Sequence, residues 1–341
     1  MENFASNRPE WIHFSSNSRG RPSLQADGIP APSCQFSTHT DGLISTTTVQ
    51  RERQMMAEPL TFMAVHAHPD DECLGTGGAL ARYSEEGIQT ILVTATCGEE
   101  GEVVAPDMDP DEVRPKLGDV RLEELRCSCE TLGVGTHYVL GYRDSGMADT
   151  PANQHPECFA QANLYEATGR LVALMRQTRP HVVTCYNEDG GYGHPDHIQV
   201  NRATVAAFHA AGDPAQYPGI GPAPWQPQKL YYTSYPRSYI LMRYEVMRAM
   251  GDETPMDRPD FDPNRVGVAD DEITTRVDIR PYIRRKVAAL RCHRTQVAPD
   301  WWYFRMPLAV LQDKFNEEMF IRIVSHVPVE QAETDLFAGL R

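Results

Sequence analysis

Apolar residues fall along this chain in two alternating textures. Short runs with little polar interruption, Thr61 to Val65, Thr90 to Ala95, Tyr138 to Leu140, His181 to Tyr186 and Lys229 to Ser234, are strand-length and rich in β-branched and aromatic residues, so they read as buried strands. Between them the apolar positions recur every three to four residues. Ala79 to Glu86 is closed by Gly87; Arg121 to Leu132 carries Leu122, Leu125, Cys129 and Leu132 and is closed by Gly133; Leu164 to Thr178, Asp196 to Ala211 and Tyr239 to Met250 follow the same period. Strand alternating with helix predicts an α/β fold, a mostly parallel sheet with helices on both faces and right-handed crossovers. Beyond it, Ile273 to Ile279 reads as a strand, Arg280 to Cys292 as a helix, and Phe320 to Val327 as a closing strand or helix, all extra C-terminal elements.

The first part of the chain lacks either texture. Residues 1–55 are rich in Ser, Thr, Asn, Pro and Gln, bury too little apolar surface to offset their ordering entropy, and are expected to form a disordered polar tail. Met55-Met56 just before the first strand raises a second expectation, that this tail lies upstream of the true start. Residues 56–341 are then one catalytic domain. Three irregular stretches interrupt it: an acidic, proline-bearing loop from Cys97 to Gly118, a Pro/Gly-rich connection from Gly212 to Pro227, and a surface excursion over 251–271.

Ligand-type residues cluster immediately after two of the strands. The first run leads into His68-Pro69-Asp70-Asp71-Glu72, and the fourth into Gly190-Gly191-Tyr192-Gly193-His194-Pro195-Asp196-His197. Such residues at the carboxyl ends of strands stand where open α/β sheets place their binding sites. His68 offers an imidazole nitrogen and Asp71 a carboxylate oxygen to one metal ion, with Pro69 stiffening the loop between them. Asp70, beside a ligand, is free to take a proton. Pro195 is tolerated in a first helical turn, which puts His197 there as well.

Together these segments resemble the LmbE/PIG-L family of zinc-dependent N-acetylglucosaminyl deacetylases, most closely its mycothiol-pathway branch. The similarity runs from about Leu60 into the C-terminal third and includes Thr96 to Glu102, Arg143-Asp144-Ser145-Gly146-Met147 and His293-Arg294-Thr295-Gln296. The resemblance implies a Rossmann-like sheet with the metal site at its strand ends. It also implies His68, Asp71 and His197 as ligands to Zn2+ or Fe2+, Asp70 as general base, and His194 and Tyr192 facing the transition state. Asp196 would orient His194 or tune it, and Glu102, Arg121 and Asp144 would contact the sugar and its aglycone. The implied substrate is a small N-acetylated aminosugar.

Each of these residues also has an ordinary reading. A single His or Asp is more often a capped turn, Arg121 a surface helix residue, and Glu102 and Asp144 loop acids. His66, two before the ligand, is read as structural, Glu72 as holding the loop, and His293 equally as a helix-terminal histidine or a site residue. Cys73 stands where the resemblance leads one to expect Ser. Gly75-Thr76-Gly77-Gly78 invites a dinucleotide reading, but the spacing is not GxGxxG.

Bulk properties narrow the partners. With 47 acidic against 32 basic residues the formal charge is -15, which argues against nucleic acid or an anionic membrane surface. No run of about 20 apolar residues and no basic-then-apolar leader is read. Eight cysteines without a CxxC pair are expected to be reduced thiols in a cytoplasm; the oligomeric state is open. Three functions compete with deacetylation. One is an amidase cleaving a larger amide on a glucosamine-inositol thiol conjugate, in whose branch a lysine follows where Leu74-Gly75 stand here. Another is a non-haem iron oxygenase, and the last a non-catalytic sugar-binding protein. Asp70 beside the ligand set favours hydrolysis.

Overall fold

The computed structural model describes residues 12–15 and 59–341. Eight strands form one sheet: β1 (Ile12–Ser15), β2 (Thr61–His66), β3 (Gln89–Thr96), β4 (Thr136–Tyr142), β5 (Val182–Tyr186), β6 (Lys229–Thr233), β7 (Thr275–Asp278) and β8 (Glu317–Ser325), in the order β1-β4-β3-β2-β5-β6-β8-β7. The five inner strands from β4 to β6 are mutually parallel, while β1, β8 and β7 pair antiparallel at the two edges. The expected α/β architecture with added C-terminal elements is thus what the chain adopts. β1 falls within the segment expected to be a disordered tail; the rest of residues 1–55 lies outside the described residues.

Every residue of β2 is buried, so its two faces feed two cores. Phe62 and Ala64 face one side, where α2 (Gly77–Glu85), α3 (Leu117–Leu132) and α7 (Ile283–Leu290) supply Leu80, Tyr83, Leu125, Leu132 and Ile283. Met63 and Val65 face the other, against Leu171, Val172, Val200 and Phe208 of α4 (Leu164–Thr178) and α5 (Pro195–Ala210). Helix α6 (Arg237–Ala249) packs partly buried residues such as Met242 and Val246 on the first core. From β2 the chain steps to β3 and β4 on one side and returns to β5 on the other. The reversal of strand order therefore lies between β2 and β5, the crevice in which open sheets bind ligands.

Three local readings change. Asp71–Gly75, read as loop, is a short helix, α1, with Asp71 and Glu72 in its first turn. The glycines after it serve packing: a Cβ on Gly78 would lie 2.5 Å from Ile279. The N–H groups of Gly78 and Ala79 donate to the Glu318 carboxylate at 2.7 and 2.8 Å, so no dinucleotide phosphate is needed to satisfy this helix N-terminus. The closing segment is a strand, because its residues pair with both β6 and β7.

The expectation of reduced thiols is overturned at one pair. Cys127 on α3 and Cys292 just past α7 form a disulfide, since the packing of these helices brings their Cα atoms to 5.7 Å across 165 residues of sequence. Cys73, Cys97, Cys129, Cys158 and Cys185 are free. Among the described residues no helix is long and apolar enough to cross a membrane.

Candidate metal centre

β2 and β5 each end in a turn that opens a helix, and the two turns face one another across the switch point. His68, Pro69 and Asp70 lead into α1, whose first residue is Asp71. Asn187 to His194 lead into α5, with His194 as N-cap, Pro195 at the first position and His197 in the first turn, as the sequence predicts. Gly190 is required in the second turn: its φ is +63°, and a Cβ there would stand 2.6 Å from the Cβ of His197.

Three atoms converge. His68 Nδ1 lies 3.3 Å from Asp71 Oδ2 and 3.3 Å from His197 Nε2, and His197 Nε2 lies 3.4 Å from Asp71 Oδ2. A tetrahedral ion with bonds of about 2.0–2.1 Å spans donor-to-donor edges of roughly 3.3–3.4 Å, so the triangle has the size such an ion requires. The tautomers agree. His197 Nδ1 donates to the Gly190 carbonyl at 3.0 Å, leaving Nε2 its lone pair, and His68 Nε2 donates to Asp196 Oδ2 at 3.1 Å, leaving Nδ1 free to ligate. Asp144 Oδ1 stands 3.5 Å from the same His68 nitrogen.

The electrostatics favour a cation. Burial alone would lower the His68 pKa, but Asp144, Asp196 and Asp71 outweigh it and raise it well above the ordinary value. Burial would likewise raise Asp71, yet His197 and His68 hold it well below the carboxylate range. His194 is pushed down to about 4, first by burial and then by His68 and His197. Its Nδ1 accepts the Asp196 N–H at 3.2 Å, so the neutral ring carries its proton on Nε2, and its ring centroid is 4.5 Å from that of His68.

Asp70 stands beside this triangle with φ at +125°, a backbone conformation costing on the order of 1–3 kcal/mol for a non-glycine residue. Its carboxylate accepts from Arg121 Nη2 at 3.1 Å, and burial, opposed by Arg121, raises it to about 6. Arg121 is itself buried and also donates to the carbonyls of Pro69 and Gly98 at 2.6 and 2.7 Å.

The remaining expectations find varied places. Asp196 is fully buried; its carboxylate turns to Ser145 and His68, and it meets His194 only through its backbone N–H. Tyr192 is 65% exposed and meets the His197 ring edge-on at 5.0 Å. Glu102 is exposed on the acidic loop, which Gln296 Nε2 grips through the Glu102 carbonyl at 2.8 Å. His66 is structural: its Nε2 donates to Thr76 Oγ1 at 2.8 Å, and burial drives it down to about 4. Two participants were not singled out beforehand. Ser145 holds Asp196 by its N–H and hydroxyl, and Tyr186 stacks on the His197 ring at 4.0 Å; the only sequence signal for Tyr186 is its place as the last residue of the strand.

Comparison with known proteins agrees with this geometry. The family model described as PIG-L, GlcNAc-PI de-N-acetylase, matches residues 63–208. A 1D-myo-inositol 2-acetamido-2-deoxy-alpha-D-glucopyranoside deacetylase of Geodermatophilus obscurus is 43% identical, covering 82% of this chain and 97% of its own. One of the same description from Thermobifida fusca is 42% identical over 81% and 98%. Among solved structures, the N,N'-diacetylchitobiose deacetylase of Pyrococcus horikoshii superposes with a TM-score of 0.54 at 18% identity, covering 85% of this chain and 95% of its own. GalB, a 4-carboxy-2-hydroxymuconate hydratase of Pseudomonas putida, superposes at 0.51 with 21% identity over 80% and 99%. At such identities the two structures speak for the fold alone. The relatives, alike over nearly their whole length, carry the assignment: the chain belongs to the PIG-L family of GlcNAc-PI de-N-acetylases.

Proposed function

We propose that this protein is a zinc-dependent hydrolase that removes the acetyl group from the N-acetylglucosamine unit of an inositol-linked glucosaminide. The observation that carries the reading is the triangle of His68 Nδ1, Asp71 Oδ2 and His197 Nε2, with Asp70 beside it. The inositol aglycone is taken from the relatives' substrate. His68, Asp71 and His197 would hold the ion, which when bound supplies a Lewis acid and makes hydroxide accessible near neutral pH.

The chain's own residues divide the remaining work. Asp70, anchored by Arg121, takes the proton of the attacking water. His194 presents Nε2–H to the oxygen that gains negative charge as the amide carbon becomes tetrahedral, and Tyr192, on its glycine-rich turn, adds a second donor. The carbon–nitrogen bond then breaks, the proton taken from water passes to the departing amine, and acetate and the inositol-linked glucosaminide with a free amine remain. Asp196 and Ser145 fix the His68 ring, and Gly190 fixes that of His197. Glu102, Arg121 and Asp144 are the expected sugar contacts; of these, Glu102 is the exposed one.

The test is primary-amine release from a panel of N-acetylglucosaminides, the inositol-linked one included, by metal-stripped protein before and after addition of zinc or ferrous ion. Amine appearing only with metal, fastest from the inositol conjugate and with zinc, is the expected result. No amine from any member with either metal would overturn the reading.

A further inference from the structure

Asp70 is held by a buried assembly centred on Glu72, whose carboxylate, among the described residues, makes no hydrogen bond to His68, Asp71 or His197. Its N–H donates to Glu72 Oε2 at 2.9 Å. The other oxygen, Glu72 Oε1, receives His293 Nε2 at 2.7 Å, the Ser128 hydroxyl, and the Cys73 thiol at 3.1 Å. Glu72, Cys73, Ser128 and His293 are all completely buried. The donors come from separate elements: Ser128 from α3, and His293 from the segment that follows α7. The disulfide sits one residue away from both, on Cys127 and Cys292.

Two features mark this assembly as more than core filling. Asp70 occupies a backbone conformation that an L-residue rarely adopts, and such a conformation persists only where the surroundings enforce it. The Glu72 carboxylate grips the very N–H whose orientation that φ sets. His293 in turn carries a buried Nδ1 with no hydrogen-bond partner among the described residues. Buried polar atoms are nearly always paired, so an imidazole kept here with one nitrogen idle is kept for its other nitrogen.

We propose that His293 and Ser128 are positioning residues for Asp70, acting through Glu72. Their two donors fix the rotamer of Glu72. Glu72 fixes the Asp70 N–H, and with it the direction in which the Asp70 side chain leaves the backbone. Arg121 then sets the carboxylate's final orientation from the opposite side. The inference rests on the reading of Asp70 as the base, and it assigns His293 a task distinct from ligation or substrate contact.

The test compares His293→Leu, which removes the donor, with His293→Gln, whose amide nitrogen reaches the place of Nε2. Ser128→Ala serves as the milder variant should His293→Leu fail to fold. Two readouts are taken: amide hydrogen exchange at Asp70 in metal-free protein, and kcat and KM for amine release by the zinc-loaded protein. His293→Leu is expected to speed exchange at Asp70 by about ten-fold, the loss of one charge-assisted hydrogen bond's worth of protection, and to lower kcat about ten-fold with KM and bound zinc unchanged. His293→Gln should restore both to within about three-fold of wild type, and Ser128→Ala should give about a three-fold change in each. Unchanged exchange at Asp70 in the folded variants overturns the inference, as does a loss in His293→Leu that His293→Gln does not recover or that appears in KM or zinc content. Wild-type protein that releases no amine would overturn the functional reading instead, and the exchange measurement would still decide the positioning role.

Discussion

Two clusters of buried charge in this molecule look alike in composition and differ in balance. Near the C-terminus, Glu333 accepts from Lys229 Nζ at 2.5 Å, Arg322 Nη1 at 2.6 Å, Tyr231 at 2.9 Å and Thr275 at 3.1 Å, so two cations and two hydroxyls surround one carboxylate. At the switch point Asp70, Asp71, Asp144 and Asp196 share two histidines and one arginine, and the histidines meet them by nitrogens at 3.1 to 3.5 Å. The first cluster is saturated and closes the edge of the sheet. The second is short of positive charge and has a triangle of donors sized for an ion. Buried charge alone therefore does not distinguish a brace from a reactive centre; what separates them is whether the partners already satisfy it.

That contrast can be broken first at Asp70. Asp70→Asn should lower kcat for amine release by about 10²- to 10⁴-fold while bound zinc, counted by atomic absorption, stays at the wild-type ratio; retained turnover would remove the base from the proposal. At the saturated cluster Glu333→Ala should cost about 3–5 kcal/mol in urea unfolding, because the buried Lys229 and the half-buried Arg322 lose their partner, with kcat per folded molecule unchanged. A large drop in kcat per folded molecule would show that the two clusters are not independent. Asp196→Asn should weaken zinc binding about 10- to 100-fold in a chelator competition, since it loosens the His68 ring without removing a ligand. An unaltered affinity would deny it that role.

The smallest expected effect is on pH dependence. Burial alone would raise Glu333, but Lys229, Arg322 and Tyr231 hold its folded pKa below the ordinary 4.5. A depressed carboxylate adds stability that is present above the unfolded value and is lost as pH falls through the folded one. Wild-type stability should accordingly decline below about pH 4.5 more steeply than that of Glu333→Gln; parallel curves would contradict the assignment.

How much of this was legible in the sequence follows from the range of each interaction. The inner strands and their helices announce themselves in patterns a few residues long, because the burial of both sheet faces writes itself as unbroken apolar runs. The gathering of His68, Asp71, His194 and His197 was legible as well, since a strand end places neighbouring side chains locally. What escaped depends on pairs far apart in sequence: Cys127 with Cys292, Glu318 with the start of α2, Glu72 with His293, and Ser145 with Asp196. Arg121 reads as a surface helix residue by period, and only the fold shows that its face of α3 is turned inward onto Pro69, Asp70 and Gly98. The short helix α1 was missed because its first turn consists of the same acidic residues that signal a loop.

The reversal of strand order between β2 and β5 has a consequence for assembly. His68 and His197, whose nitrogens face each other at 3.3 Å, stand 129 residues apart in sequence, and the proposed donor triangle is complete only with β5 beside β2. A chain folded only through β4 would hold two of the three proposed donors and should release an added ion quickly. With the proposed ligands, ion binding would depend on a completed sheet, and its free energy, growing as RT ln(1 + [L]/Kd), would stabilise the seam where the two halves of the fold meet.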